Sequence, residues 1–433
     1  MKNLAHPRLL STRHEREVVS LRDLSARVGS DPLLVQASNG NTSIKLDGIL
    51  WIKASGKWLA HAMQEEMFLP LNLAEVKVAI ENDAKIAPSY DSNKMLHPSI
   101  ETAMHAILRH RVVIHVHSIN AIAWAIRLDG PNQLKERLAG LYWQWIPYAA
   151  SGIPLAREIE KSVASAPETD VLILGNHGLV VCGHDCDTAE KLLCEVEHRL
   201  AIAPRRFATP NATVLAMIAR FSRWQFPDVD SLHALGTDAV SRKILRGGVL
   251  YPCQAIFLGQ TMPLLPPAVV LSKFTERLNG KDTTPPFVAV EGSGVMLNEK
   301  ITSAERATLL GLVQVTQRTE DSAGLRYLKE AEVTEILSRG AHGYKEPVVM
   351  EEKANTPAEF KKSDEERVRS AHRLFASAVP CLPSAGLGLA PTGRPDSVRV
   401  RQYGSSGRKK GHARRGLQSH WLKFDLAEGD TEN

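Results

Sequence analysis

The stretch Val112-Val113-Ile114-His115-Val116-His117-Ser118 places two histidines in a β-branched, apolar run that is typical of a buried strand. Alternate residues of a strand share a face, so His115 and His117 point the same way and Val116 points to the other side. Two interpretations follow: a pair of buried, hydrogen-bonded histidines, or a His-x-His pair that binds a metal ion with both rings. The strand alone leaves both open.

Length and composition limit the class of protein. A chain of 433 residues is too long for one compact core, so we expect two or three domains. With 43% hydrophobic residues and no apolar run of membrane-spanning length, the composition is that of a globular protein. The first twenty residues lack the apolar core of a signal peptide, and the five cysteines form no disulfide pattern. These features favour a reducing cytoplasm and no membrane partner.

The formal net charge of +5 is concentrated in the last part of the chain. Residues 351–433 contain 15 basic and 11 acidic side chains, so the preceding 350 residues are almost neutral. The basic segment is rich in Pro, Gly and Ser. It is either an arm that binds RNA or another anionic surface, or a disordered tail, and its composition favours the tail. We therefore expect no nucleic-acid partner for the folded part.

Strand and helix patterns alternate between residues 15 and 203. A helix over 15–30 precedes two short strands joined by Asp47-Gly48, which is a strong hairpin signal. A helix from Ser99 to about His110 leads into the two-histidine strand, and further strands and helices follow up to about Ile202. This order predicts an α/β fold, with a mixed central β-sheet flanked by helices. We place domain boundaries at 1–205, 206–340 and 341–433, the last being the basic tail.

Two segments of the chain resemble each other. Residues 171–193 and 287–310 both read as a β-branched strand, a glycine-containing turn, a second strand and a helix. His177 in the first turn is matched by Ser293 in the second, and Thr188 and Ser303 are the natural helix N-caps. The second region, 206–340, is thus expected to be a smaller α/β unit that resembles a degenerate repeat without the metal chemistry.

Three elements of the first domain form a candidate catalytic constellation. His115 and His117 share one strand face, His177 lies in the turn Gly175-Asn176-His177-Gly178, and Glu101 lies in the helix just before the two-histidine strand. Three histidines with an open fourth position are a common catalytic zinc arrangement, which polarises a carbonyl or enediolate oxygen. A nearby carboxylate can then transfer protons.

The motifs "SNGNTS", "KASGK", "HPSIETAMHAIL", "VVIHVHS" and "LGNHGLVV", in this order, resemble the class II aldolase/adducin family. With the downstream segments "GVLYPCQAIFLG" and "FVAVEGSGVML", the chain is most similar to the aldolase part of rhamnulose-phosphate aldolase/short-chain dehydrogenase fusion proteins. The resemblance covers residues 15–338. No Gly-x-Gly-x-x-Gly motif follows residue 340, so we do not expect the dehydrogenase part in this sequence.

The resemblance implies a role for each matching residue. A divalent metal, most often Zn²⁺, would be held by His115, His117 and His177, and Glu101 would be the catalytic acid/base. The substrate-binding positions would be Gly40, Asn41, Ser55, Gly56 and Ser99. Glycines allow an anion to approach the backbone, and the Asn and Ser side chains are neutral donors. The implied activity is that of an aldehyde-lyase on a sugar or sugar phosphate, in carbohydrate metabolism, with a homotetramer as the implied assembly.

Several positions leave alternatives open. Ile100 replaces a serine donor, and Asn39 stands where the family usually has a small residue, which weakens the expectation of a phosphate. Lys53 and Lys57 either add charge to the site or are solvated surface lysines, and His105 either supports the metal site or packs in the core. The same site could run decarboxylation, epimerisation or dehydration. The fold could also serve as a non-catalytic, adducin-like scaffold, although a scaffold need not retain three histidines and Glu101.

Overall fold

The computed structural model describes residues 12–86, 96–220, 222–227, 229–266, 285–321 and 324–340. The chain divides into a unit over residues 1–379 and a second unit over 380–433. The basic tail predicted over 341–433 lies outside the described residues, and so does the whole of the second unit.

A seven-stranded mixed sheet forms the centre of the fold, as predicted. Its strands lie in the order β3-β2-β1-β4-β7-β6-β5, and every neighbouring pair is antiparallel except β5 and β6. The predicted hairpin turn is confirmed, because Asp47 and Gly48 both have the positive φ angles (46° and 81°) of a tight two-residue turn. The strands are β1 (Asn41–Leu46), β2 (Ile49–Lys53), β3 (Phe68–Asn72), β4 (Val112–Val116), β5 (Trp143–Ile146), β6 (Val171–Leu174) and β7 (Gly178–Gly183).

Helices cover both faces of this sheet. The first seven helices are α1 (Thr12–Gly29), α2 (Leu73–Glu81), α3 (Thr102–Ile107), α4 (Ile119–Ala125), α5 (Gly130–Arg137), α6 (Ile153–Ser165) and α7 (Cys186–Leu200). On one face, α1, α4 and α7 pack in the apolar cluster that contains Val112, Ile114 and Val116. On the other face, α3 and α6 pack in the cluster that contains Val113. His115 therefore shares the face of α3, the helix that Glu101 precedes.

Helix α3 is shorter than the sequence predicts. It begins at Thr102 instead of near Ser99, and it ends at Ile107. Glu101 occupies the N-cap position, yet its side chain makes no capping hydrogen bond. The Ser99 hydroxyl accepts from the backbone N–H of Glu101 instead. The carboxylate of Glu101 is thus free to face away from the helix.

The second region contains a four-stranded sheet that repeats half of the first one. Its strands are β8 (Trp224–Gln225), β9 (Leu264–Leu265), β10 (Phe287–Val290) and β11 (Gly294–Asn298), in the order β8-β11-β10-β9. The pairs β8–β11 and β10–β11 are antiparallel and β9–β10 is parallel, which reproduces the directions within β4-β7-β6-β5. The two-residue β8 occupies the place of β4, which explains why no counterpart of the two-histidine strand is visible in the sequence.

The two hairpins of the repeat share their turn geometry. The His177 N–H donates to Leu174 O at 3.0 Å, and the Ser293 N–H donates to Val290 O at 3.0 Å. The residue before each has a positive φ, 53° at Asn176 and 67° at Gly292. Ser293 therefore occupies the position of His177 in a matching three-residue turn.

The helix that follows each hairpin begins with a capping box. The remaining helices in the described ranges are α8 (Ala212–Arg220), α9 (Ala234–Thr237), α10 (Ala239–Gly247), α11 (Ser303–Arg318) and α12 (Glu330–Gly340). The predicted caps are wrong, because Asp185 and Thr302 cap α7 and α11. Thr188 is instead the third helical residue that closes the box back onto Asp185, and Ser303 is the first helical residue.

The second region packs directly on the first. Ile119, Ile122 and Ile126, in and after α4, lie in one apolar cluster with Phe287 and Leu309 of the second region. Because α4 begins two residues after His117, this contact brings the second region close to the two-histidine strand. The boundary predicted at residue 205 stays a prediction. None of the helices in the described ranges is long and apolar enough to span a membrane.

Candidate metal and substrate site

Strand pairing brings the three histidines together. Strand β4 pairs with β7, with Val116 opposite Leu179, so His117, the first residue after β4, lies beside the turn that carries His177. This close approach needs a glycine, because a Cβ at Gly178 would lie 2.5 Å from Val116 O. The pairing of β4 with β1 places Asn41 opposite His115. Residues that are far apart in the sequence thus meet at one end of the sheet.

The three imidazoles surround one point. Their ring centroids are each 5.0 Å apart, and the ring planes cross at 65° to 85°. The Nε2 atoms of His115 and His117 are 3.1 Å apart. One ligand atom from each of the three histidines lies within 4.8 Å of the others. Of the groups in the described residues, this is the one that can hold a metal ion with three such side chains.

Glu101 closes the cluster. Its Oε1 lies 3.0 Å from His177 Nε2, and its Oε2 lies 3.3 Å from His115 Nε2. The Ser151 hydroxyl donates to Oε1 at 3.4 Å. The carboxylate is 6% exposed, so water contributes little to its solvation. It therefore depends on the imidazoles and on neutral donors.

The electrostatics of the cluster favour neutral rings at His115 and His117 beside an ionised carboxylate. Burial lowers the pKa of His115 to about 4 and lowers the pKa of His117 well below its usual range. Burial would raise the pKa of Glu101, but the imidazoles of His115, His177 and His117 outweigh it and hold that pKa well below its ordinary value. Neutral imidazole is the form that binds metals.

These donors fit a divalent metal. His115 Nδ1 is 3.1 Å from Leu179 O, so Nδ1 carries the proton and Nε2 presents a lone pair. The Nε2 atom of His117 lies 3.1 Å from that of His115, so both ring nitrogens face the same point. A three-histidine set with an adjacent carboxylate is typical of zinc sites, and the same donors also suit other divalent transition metals.

Asn41 connects Glu101 to His105. Asn41 Nδ2 donates to Glu101 Oε2 at 2.7 Å and to Ser99 Oγ at 3.1 Å. Its Oδ1 lies 2.5 Å from His105 Nε2, and His105 Nδ1 lies 2.6 Å from Ser43 Oγ. His105 is buried in the core and is also connected to Glu101 through Asn41, whose two N–H donors are both occupied. Its support of the metal site stays a prediction.

The predicted substrate-binding residues line one pocket beside the cluster. Gly40, Asn41, Ser55, Gly56 and Ser99 all border it, together with Glu101, His117 and His177. The loop after β2, which carries Ser55 and Gly56, lies beside the loop that carries Ser99. Two backbone hydrogen bonds join them: Ser55 N–H donates to His97 O, and Ser99 N–H donates to Lys53 O. Gly40 has φ +67°, and a Cβ there would lie 2.8 Å from His115 O, so this position requires glycine.

Lys53 and Lys57 differ in burial and in their partners. Lys53 is 2% exposed and borders the pocket, and its ammonium donates to Ser38 O at 2.9 Å. Burial lowers the pKa of Lys53 to about 7, against the opposing effect of Glu101. Lys57 pairs with Glu65 at 2.7 Å outside the pocket. Lys53 therefore lies in the pocket wall, and Lys57 does not.

Sequence reasoning missed part of the pocket wall. The second region contributes Pro252, Cys253 and Ile256, and the first contributes Ser38, Asn39 and Ser151. Cys253 is 136 positions from His117, so no local spacing could have indicated their contact. Asn39 is an unusual residue in its motif, and this is the sequence signal that points to it.

The fold and the cluster define an α/β protein with a buried three-histidine, one-glutamate centre. Comparison with known proteins shows what the chain resembles: residues 23–203 match the class II aldolase and adducin N-terminal domain. A Bacillus subtilis (strain 168) protein called uncharacterized oxidoreductase YuxG is 31% identical over 178 residues, covering 37% of this chain and 26% of the relative. The chain thus matches about a quarter of that relative's length.

Solved structures resemble the same part of the chain. The N-terminal class II aldolase domain of a conserved Thermoplasma acidophilum protein is 23% identical, covering 46% of this chain and 97% of that one, with a TM-score of 0.36. The L-fuculose-1-phosphate aldolase of Thermus thermophilus is 19% identical, covering 43% and 91%, with a TM-score of 0.32. These likenesses assign neither a substrate nor a reaction to this chain.

Proposed function

We propose that this protein is a metal-dependent aldehyde-lyase that cleaves or forms a ketose or ketose phosphate. One observation carries the proposal: the carboxylate of Glu101 touches two of three converging imidazoles and borders a pocket lined by hydrogen-bond donors. A carboxylate in this position suits proton transfer at a carbon beside a carbonyl group.

His115, His117 and His177 would hold the divalent metal, most often Zn²⁺ in sites of this composition. When bound, the metal supplies Lewis acidity to a carbonyl oxygen and to the hydroxyl oxygen next to it. His115 is kept in the tautomer that presents Nε2 by its bond to Leu179 O. The buried cluster thus needs little rearrangement to act as a ligand set.

Glu101 would remove the proton from the carbon that becomes the nucleophile, and would return it in the reverse direction. Asn41 fixes the direction of its Oε2, while Ser151 and His177 contact Oε1. The depressed pKa keeps the carboxylate ionised at neutral pH, as a base must be. Residues of β1, of the loop before α6 and of the turn before β7 would therefore position Glu101 as the base.

Lys53 and the loops that carry Gly40, Ser55 and Ser99 would bind the anionic end of the substrate. Ser55 and Ser99 supply hydroxyl donors, Gly40 and Gly56 allow close approach of the backbone, and Lys53 supplies the positive charge. Lys53 offsets the donor that Ile100 does not provide. This supports a phosphorylated substrate or another anionic sugar.

Hydrogen–deuterium exchange tests the proposal without knowledge of the aldehyde partner. The Zn²⁺-loaded protein is incubated with dihydroxyacetone phosphate in D₂O, and loss of the C3 hydroxymethylene proton signal is followed by NMR. Exchange that needs both metal and Glu101, followed by aldehyde release from a panel of ketose phosphates, supports the lyase. Exchange-free conversion of sugar acids or sugar phosphates would identify a decarboxylase, epimerase or dehydratase instead, and no metal binding at all would favour the scaffold.

Three broader expectations belong to this proposal. We propose a homo-oligomer, which the family resemblance implies as a tetramer. We also propose the cytoplasm as the compartment, on the sequence argument from cysteine usage. No membrane or nucleic-acid partner is proposed for the described part of the chain.

A further inference from the structure

The second region reaches the metal cluster through Cys253. This residue precedes the helical turn Gln254–Leu258 and is buried. Its Sγ lies 3.2 Å from His117 Nδ1 and 3.0 Å from Asn39 Oδ1. One thiol thus touches a proposed metal ligand from the strand β4 segment and a pocket residue from the loop before β1.

The hydrogen-bond directions follow from the ligand role of His117. If Nε2 of His117 presents its lone pair to a metal, Nδ1 carries the proton and must donate it. The acceptor within reach is the sulfur of Cys253. The thiol of Cys253 then donates to Asn39 Oδ1, so the amide nitrogen of Asn39 points away from Cys253.

The amide nitrogen of Asn39 is a buried donor without an assigned acceptor. Nδ2 has no hydrogen-bond partner among the described residues, while Asn39 as a whole is 5% exposed and borders the pocket. Leaving such a donor unpaired is unfavourable, because burial removes its hydrogen bond to water and nothing replaces it. A substrate oxygen in the pocket would satisfy it.

The second region also makes hydrogen bonds to the turn that carries His177. Asn176 Nδ2, beside His177, donates to Leu250 O at 2.8 Å and to Arg326 O at 2.7 Å. The Arg326 guanidinium donates back to Asn176 Oδ1 at 3.1 Å. The contact of Cys253 with His117 is therefore part of a wider attachment of the second region to the site.

We propose that Cys253 is a positioning residue: it orients the ring of His117 for metal binding and turns Asn39 Nδ2 toward the pocket as a specificity-determining donor for a substrate hydroxyl or carbonyl oxygen. The inference rests on the proposed metal site. It assigns the degenerate second region a direct part in building that site.

Metal titration of matched variants tests the first half. Metal-free wild type, Cys253→Ala, Cys253→Val and Cys253→Ser are titrated with Zn²⁺ against a chelating dye and with Co²⁺ by visible absorption. Loss of an outer partner of a ligating histidine typically costs 10–100-fold in metal affinity. We expect that loss and altered Co²⁺ bands for Ala and Val, and retention within about threefold for Ser, whose hydroxyl can replace both hydrogen bonds. Cys194→Ala, on helix α7, is the control.

The outcomes separate the two proposals. If wild type binds no metal, the proposed function fails. If wild type binds metal while Cys253→Ala or Cys253→Val matches its affinity and Co²⁺ spectrum, the positioning role of Cys253 is wrong. An equal loss in Cys253→Ser would also overturn it, because hydrogen bonding would then not be the cause. Valine keeps the volume of the thiol, so this variant answers the question if alanine prevents folding.

Asn39→Ala tests the second half. We expect metal affinity within about threefold of wild type, because the sulfur still accepts from His117. The half-saturating concentration of dihydroxyacetone phosphate in the exchange assay should rise about threefold to tenfold, as for one lost hydrogen bond. An unchanged value would overturn the role of Asn39 in substrate binding.

Discussion

Asn41 Nδ2 donates to the carboxylate of Glu101 at 2.7 Å, and that single contact connects the proposed base to a buried chain that runs through Asn41 and His105 to Ser43. Burial holds the pKa of His105 well below its usual range, so the ring is neutral. The Ser43 hydroxyl donates to Nδ1 of His105. Nε2 of His105 therefore carries the ring proton and donates it to Asn41 Oδ1. The orientation of the amide, and so of Glu101, is fixed by residues that are not themselves metal ligands.

The first prediction concerns this chain. Replacing His105 by Ala should leave Zn²⁺ content near that of wild type and lower kcat about 10–100-fold, because Asn41 can rotate away from Glu101. His105→Gln, which offers Asn41 a donor again, should recover part of the loss. Metal analysis and steady-state kinetics on the same samples provide the measurement. A fall in metal content equal to the fall in kcat would show that His105 acts on the ligands instead.

The second prediction concerns metal binding. His117→Ala should abolish stoichiometric binding of Zn²⁺ and all activity, because only two of the three converging imidazoles remain. His184→Ala changes a histidine whose side chain is 85% exposed and serves as the control. Elemental analysis after dialysis against Zn²⁺ measures the effect. Full metal occupancy in His117→Ala would contradict the three-histidine site.

The third prediction separates metal binding from proton transfer. Glu101→Gln should retain most of the metal and cut turnover about 10²–10⁴-fold, the usual contribution of an acid/base group. The amide keeps the shape of the carboxylate and can still meet Asn41 through its oxygen. Turnover is measured as deuterium exchange and as aldehyde release. Normal turnover in this variant would remove Glu101 from the mechanism.

The fourth prediction follows from the buried ammonium of Lys53. Because its pKa is lowered to about 7, Lys53 is charged below that pH and loses its charge as the pH rises above it. Binding of a phosphorylated substrate should therefore weaken between about pH 7 and 9, as an increase in KM without a matching loss of kcat. Lys53→Met should remove this pH dependence, and Lys57→Met should keep it. A KM profile unchanged in Lys53→Met would contradict the charge assignment.

How much of this could be predicted from the sequence depends on the range of each interaction. The hairpin at Asp47-Gly48, the two-histidine strand and the turn at His177 follow from local patterns, and the structure places them as expected. The contact between Cys253 and His117 depends on how two regions pack, which no local pattern encodes. The same holds for Lys53: the sequence leaves charge in the site and a solvated surface lysine both open, because strand periodicity does not show that β2 ends inside a pocket. Asn41 was expected to bind substrate, a role that stays a prediction, while its contacts show that it holds Glu101.

The last prediction concerns stability where the two halves of the repeat meet. Burial raises the pKa of Glu197 on α7 to about 7, with Asn120 donating to Oε2 at 3.2 Å and Oε1 without a partner among the described residues. Its usual pKa is 4.5, so the folded state holds this proton more tightly than the unfolded chain. The free energy of unfolding should therefore fall as the pH rises from about 4.5 to 7.

Glu197→Gln removes that loss. At pH 8 the variant should be about 1–3 kcal/mol more stable than wild type, since one pKa unit corresponds to about 1.36 kcal/mol, whereas at about pH 4.5 the two should be nearly equal. Urea unfolding at both pH values measures the difference, and Glu195→Gln, on the same helix but exposed, is the matched control. A variant that is equally or less stable than wild type at about pH 8 would show that Glu197 is stabilised as an anion, with the nearby guanidinium of Arg318 as the available counter-charge.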